Sequence, residues 1–372
     1  MGEPDDVLST PPPPADALTR LPGLERFGRT TTRLHPRPGP VEATQSHVGG
    51  PLRWPADEPW PTCELPHQVR EEVPIPLELL DRLRAVGSRR TRPRHVMAEG
   101  ETELYDEIAR LVGPGYTGFG SVNDGPVVGY RYVPRPHPRP NPMVAVAQLR
   151  AEDIPDLLRP GGADLLQVLW CPFEHVQANL WGPAVRLRWR READVTGPDA
   201  PPPRGDVGNK GYLPRPCRLH PEQVVEYPYP EELPAELAER IDEWESDDDD
   251  DDDDGDGDGD DDADGDGDGD HGVDYVTTFM VPGWKVGGYA KWNVTDLSPT
   301  PCRSCAGPTT LALVIDSSEY DGGTRERWRP VEEAGLEGSE AMPTGVVVGR
   351  WGAMRIFVCE SCPDLPFRLD VQ

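Results

Sequence analysis

The sequence contains no run of about 18 consecutive apolar residues, so it has no segment suited to a single membrane-spanning helix. Its start, Met1-Gly2-Glu3-Pro4-Asp5-Asp6, has neither the basic stretch nor the apolar stretch of a secretory signal. Asp6 stands where a myristoylation motif requires Ser or Thr. There is no His-Glu-x-x-His, no Gly-x-Ser-x-Gly and no Walker loop, and Gly118-Phe119-Gly120 is too short for a phosphate-cradling fingerprint. Basic residues are scarce: 37 Lys and Arg against 67 Asp and Glu. That balance repels phosphate and argues against a nucleic-acid partner. Export and membrane anchoring are thus not expected, and the cytoplasm is the expected compartment.

Apolar residues make up 36% of the 372-residue chain, and the mean hydropathy is -0.61. The deficit is concentrated in Pro-rich and Asp-rich stretches, so the remainder can still build a core. Residues 247–270 hold 17 Asp, and removing those charges from the net -30 leaves about -13. Such a tract reads as a solvated linker, because like charges repel and nothing apolar is available to bury. Asp260, Asp262, Asp264 and Gly265 match the first half of an EF-hand loop, but His271 stands where the twelfth position requires Glu.

Four segments are expected. Residues 1–40 read as a Pro-rich, mostly disordered N-terminus with a short docked stretch near Leu21 to Phe27. Residues 41–245 read as a first β-rich unit with a helical insertion at about 72–141, residues 246–272 as a disordered Asp/Gly linker, and residues 273–372 as a second β-rich unit. Helices are expected at 77–86, where Leu79, Leu80, Leu83 and Val86 share a face, at 102–112, and at 231–245, where Leu233, Leu237, Ile241 and Trp244 form a stripe. Arg89, Arg90, Arg92 and Arg94 read as a solvated basic loop, and Pro134 to Pro142 as an extended connector. Strands are expected at 143–149, 164–171, 184–190, 275–281, 310–316, 345–349 and 354–359. The fold class is α+β, mostly β: two pseudo-repeated β-rich units with a few peripheral helices and zinc knuckles.

The repeat is visible in His47-Val48-Gly49-Gly50-Pro51-Leu52-Arg53-Trp54, which aligns with Lys285-Val286-Gly287-Gly288-Tyr289-Ala290-Lys291-Trp292. Later elements keep the same order. Val144 to Ala147 corresponds to Leu311 to Val314, and the strand ending at Cys171 corresponds to the strand ending at Cys359. Of ten tryptophans, Trp54, Trp60, Trp170, Trp181, Trp284, Trp292 and Trp351 cluster around these motifs, which fits core packing, with an exposed aromatic surface as the alternative.

The cysteines carry the chemistry. Seven of them, an odd number, argue against a disulfide scaffold. Cys302-x-x-Cys305 and Cys359-x-x-Cys362 together offer four thiolates, the closed tetrahedral set of a structural Zn2+ site. A redox Cys-x-x-Cys requires a helix behind its first cysteine, whereas Pro363 and an extended Leu365 to Val371 follow here. The repeat places Cys63 and His67 at the position of Cys302/Cys305, and Cys171 and His175 at that of Cys359/Cys362. These four define a second candidate site, with Cys217 and His220 as a competing pair. A site lacking one of the histidines would leave a coordination position for water and open a hydrolytic role.

The chain resembles the YwqG-like family of bacterial proteins, a domain of unknown function. The resemblance rests on His47-Val48-Gly49-Gly50 with Trp54-Pro55, on Val146-Ala147-Gln148-Leu149 and on Leu165 to Leu169. It also rests on Gly287 to Trp292 and Cys362-Pro363-Asp364-Leu365-Pro366. It implies a mostly β, α+β fold and no established reaction, and some relatives are thought to bind protein partners. The cysteine knuckles, the 88–141 insertion and the Asp tract depart from the simplest family pattern. The expected function is a non-catalytic, zinc-stabilised protein-interaction module with an unidentified protein partner. The alternative is a zinc hydrolase with an incomplete site among Cys63, His67, Cys171, His175 and His220.

Overall fold

The computed structural model describes residues 7–14, 16–88, 98–121, 125–177, 180–196, 202–249, 274–292, 297–298, 300–335 and 341–372. The arginine cluster at 89–94 and the EF-hand-like stretch lie outside them, as does the Asp tract beyond residue 249.

Along the chain, α1 (Ala17–Arg20) precedes β1 (Arg29–Arg33), β2 (Arg37–Pro38), β3 (His47–Val48) and β4 (Thr62–Cys63). Next come β5 (His67–Pro74), α2 (Leu77–Gly87), α3 (Glu101–Val112), β6 (Tyr116–Ser121), β7 (Val127–Arg135) and β8 (Asn141–Pro142). Then follow β9 (Val144–Arg150), β10 (Leu165–Trp170), β11 (His175–Gln177), β12 (Leu180–Gly182), β13 (Val185–Arg190), β14 (Cys217–Arg218) and β15 (Glu222–Glu226). Helix α4 (Ala235–Asp249) runs into the first residues of the acidic tract, so the expected linker does not begin at 246. After it come α5 (Tyr275–Phe279), β16 (Lys285–Gly287), β17 (Thr310–Asp316), α6 (Arg325–Trp328), β18 (Ala353–Val358) and β19 (Phe367–Val371). The class is α+β and mostly β, with antiparallel sheets throughout.

Two six-stranded sheets have matching orders. One runs β2-β14-β3-β9-β10-β13, the other β15-β1-β16-β17-β18-β19. Each has a bulge at the same place: Val146 is left unpaired between β9 and β10, and Ala312 between β17 and β18. Equating the bulges shifts the sequence alignment by one residue, so Val146, not Ala145, is the counterpart of Ala312. Both glycine pairs turn with positive φ, 66° and 76° at Gly49 and Gly50, 76° and 73° at Gly287 and Gly288. A Cβ on Gly50 would collide with Val41, and one on Gly288 with the Glu226 carboxylate.

Residues of β9 and β10 share one buried cluster with residues of β16, β17 and β18, among them Val146, Leu149, Trp170, Val286, Leu313 and Ile356. The sheets therefore close on a common core. Covered on both faces, β10 is buried at every position, which explains its unbroken apolar run.

The units do not divide at the acidic tract. β1 and β15, both before it, pair with each other and, through β1, with β16 of the second sheet. β2 and β14 join the first sheet. Each short segment, β1–β2 and β14–β15, therefore crosses between sheets. Both carry the same tetrapeptide at the crossing, Arg33-Leu34-His35-Pro36 and Arg218-Leu219-His220-Pro221.

Several expectations are corrected. The described part of residues 1–40 is ordered. Leu21 and Leu24 are buried by the α4 stripe of Leu237, Ile241 and Trp244, and β1 lies inside a sheet. The 275–281 strand is instead α5, started by the Asp274 side chain accepting from Thr277 N at 2.6 Å. Residues 345–349 form no strand, because Gly345 and Gly349 turn the chain with positive φ, leaving an isolated bridge from Val348 to Gly352. The Pro134 to Pro142 connector is partly strand, since β7 runs to Arg135 and β8 holds residues 141–142. The insertion carries a three-stranded sheet, β5-β7-β6, backed by α2 and α3 around Leu79, Leu80, Leu104, Ile108 and Val112.

Candidate metal centres

Both sets of cysteine and histidine converge. In Cys302, Cys305, Cys359 and Cys362, and likewise in Cys63, His67, Cys171 and His175, the four ligand atoms all lie within 4.8 Å of one another.

The four-cysteine centre is built from two tight turns. Cys302 and Cys305 precede β17. In their knuckle, Ser304 N donates to Cys302 Sγ at 3.3 Å and Gly307 N donates to Cys305 Sγ at 3.4 Å. Ala306, at φ 57°, completes the reversal, with Cys302 N donating to Gly307 O. Cys359 leaves the end of β18, and Leu365 N donates back to Cys362 O at 3.0 Å. Across the centre, Cys302 Sγ lies 3.9 Å from Cys362 Sγ, and Cys305 Sγ lies 3.7 Å from Cys359 Sγ. A tetrahedral zinc with sulfur at about 2.3 Å has S···S edges of about 3.8 Å. The Cys305 and Ser304 backbone N–H groups hold the Cys302 thiol down to about 6, while hydrogen bonding with Cys305 pushes Cys362 up to about 12. One proton is already easily lost before any ion arrives, as a thiolate ligand requires.

The mixed centre sits at the base of the insertion. β4 supplies Cys63, β5 opens with His67, Cys171 follows β10, and β11 opens with His175. All four are buried. Cys171 Sγ lies 3.4 Å from His67 Nε2, and Cys63 Sγ lies 3.7 Å from His175 Nε2. A sulfur–nitrogen edge of a zinc tetrahedron is about 3.5 Å. Phe173 stacks on the His67 ring at 4.0 Å and fixes its plane. The Cys63 thiol is held low by its hydrogen bond with Cys171, and the same bond pushes Cys171 up. Burial lowers His67 and keeps it neutral, the form that can donate a lone pair. His67 Nδ1 is buried and, among the described residues, has no hydrogen-bond partner, which leaves Nε2 as the nitrogen facing the thiols.

The two centres correspond contact by contact. The first residue of each early pair faces the last residue of each late pair: Cys63 faces His175, and Cys302 faces Cys362. The remaining two meet in the same way, His67 with Cys171 and Cys305 with Cys359. Cys217 and His220 join neither set. Cys217 Sγ donates to Pro343 O at 3.4 Å inside the core, and His220 sits at the crossing between sheets. Sequence reasoning missed Phe173, which carries no ligand signal. It also missed Asn141, which bonds the Cys171 thiol and is paired opposite Cys63 on β8.

No protein-family model matches the chain, and no curated protein matches it. Among the described residues, no helix is long and apolar enough to cross a membrane.

Proposed function

We propose that this chain is a non-catalytic cytoplasmic interaction protein whose two halves are each stapled by one structural zinc ion. The carrying observation is closure: each set brings four ligand atoms within 4.8 Å of one another, enough donors to complete a zinc tetrahedron without water. Sulfur-rich donors favour zinc over calcium or magnesium. The rival hydrolase needs an open position, whereas His67 and His175 both turn Nε2 towards a thiol and so both stand among the four donors. All seven cysteines are free, which suits a reducing compartment. The YwqG-like resemblance belongs to the same reading, through relatives thought to bind protein partners.

The test is the zinc content of protein purified without a metal-binding tag. Two ions per chain are expected, together with capture of a protein partner that is lost on chelation. One ion would leave the four-cysteine site and remove the mixed one. Folded protein without zinc, or robust turnover by the purified chain, overturns the proposal.

A further inference from the structure

The internal symmetry shows where one half is filled and the other is open. In the first half, the sheet face outside the common core is closed by polar groups. Gln148 Oε1 accepts from Arg53 N and from Gln167 Nε2, at 2.9 and 3.0 Å. The Glu192 carboxylate bridges Arg53 at 2.7 Å and Arg150 at 3.0 Å. The matched registers place Val314 at Gln148, Arg355 at Gln167, Lys291 at Arg53 and Asp316 at Arg150. In the second half these four residues line a cavity of about 610 Å³.

The cavity has the components of a ligand site. Its cations are concentrated in a chain of net charge -30. Arg355 is answered by Asp370 at 2.5 Å, but among the described residues no carboxylate lies within ion-pair distance of Lys291. Arg350 also lines the cavity. Burial pushes the Asp316 carboxyl up to about 6, and backbone N–H groups of Ser318 and Gly283 answer it. Of the ten tryptophans two are exposed, Trp181 at 41% and Trp351 at 66%, and both line this one cavity. Trp351 is held there at φ 66°, a costly conformation for a side chain of its size.

We propose that this cavity binds a small organic carboxylate bearing a flat apolar group, the carboxylate at Lys291 and Arg350 and the flat group against Trp181 and Trp351. The molecule's own first half supports one part of this, for there the Glu192 carboxylate is held by Arg53, the counterpart of Lys291, while Asp316 stands where Arg150 makes the second contact, so Arg350 has to supply the second cation here. The site shares no residue with either metal centre, although Trp181 pairs with Val176, next to His175.

Calorimetric titration of the full, zinc-loaded chain with indole-3-acetate, and with its neutral isostere indole-3-acetamide, tests this. Saturable one-to-one binding of the acid is expected, with the amide roughly tenfold weaker, as loss of a charge-assisted hydrogen bond implies. Lys291→Ala and Arg350→Ala should each weaken the acid by a similar factor, and Trp351→Ala should weaken acid and amide alike. These side chains are not core residues, and unchanged thermal melting confirms folding. No saturable heat up to about 10 mM acid, equal affinity for acid and amide, or parental affinity in both cation variants overturns the proposal.

Discussion

At the scale of single residues, the two halves solve one packing problem with different chemistry. Lys285 and its counterpart His47 are both fully buried. Lys285 Nζ reaches Glu226 Oε2 at 2.5 Å and Tyr289 O at 2.7 Å, and Glu226 also accepts from Val281 N and Tyr289 N. Removing one partner of such a pair strands the other charge. Glu226→Gln should therefore cost about 3–5 kcal/mol in urea unfolding. Adding Lys285→Met should restore much of that loss, since no buried charge then remains. A double variant no more stable than Glu226→Gln alone would mean that the pair adds little beyond packing. Among the described residues His47 has no charged partner: burial pulls it down to about 4, opposed only in part by the Gly49 and Pro51 backbones. Its folded value lies below its unfolded value of about 6.5. The folded state thus resists protonation, and stability held above pH 6.5 is lost as pH falls towards 4, by roughly 3 kcal/mol. His47→Gln should flatten this pH dependence relative to the parent, and an unchanged slope would assign the acid sensitivity elsewhere. The convergence of the cysteines was legible in the sequence because their pairs are local and recur in order. The Lys285–Glu226 pair was not, because a buried ion pair 59 residues apart leaves no periodic trace.

At the scale of elements, the apolar stripes of α2, α3 and α4 announced themselves, and so did the strands buried on both faces. β5 and β7 did not. Half-buried Glu71 on β5 pairs across the strands with Arg131 and Arg135 on β7, and Pro134 sits near the end of β7. The sequence of α5 has β-branched residues at three of five positions, Val276, Thr277 and Thr278, and the Asp274 cap overrides their strand preference. The insertion also links structure to metal. His67 begins β5 opposite Arg135 on β7, so the mixed centre clamps the base of the three-stranded sheet. Chelation of its metal should raise amide exchange at residues 67–71 and 131–135. The helix pair, held by its own cluster around Ile108, should change little. Unaltered exchange at the sheet base would show that packing alone orients the insertion.

At the scale of the whole molecule, the crossing segments make each half depend on the other. The second sheet takes β1 and β15 from the chain before the acidic tract and four strands from after it. His35 is buried between Glu319 Oε1 at 2.5 Å and Glu222 Oε2 at 3.1 Å, and Arg37 reaches Glu319 at 2.5 Å and Glu333 at 2.6 Å. Thus the N-terminal arm is tied to the C-terminal half by charge as well as by strand pairing. The chain also leaves and returns at one place, for Tyr275 N donates to Glu245 Oε1 at 2.8 Å. Covalent continuity through residues 250–273 is therefore not what joins the halves. Once the chain is cut at a protease site placed within that stretch, the two fragments should still co-elute with one cooperative melt. The nick removes an effective concentration on the order of mM, so the melt should become sensitive to dilution. Residues 274–372 expressed alone should fail to fold, since the β16 edge and the faces of Trp284 and Val286 would lose the strands that cover them. Separation of the nicked fragments under native conditions would show that the crossing strands do not hold the molecule together. A folded, monomeric 274–372 fragment would show that the second half is a domain in its own right.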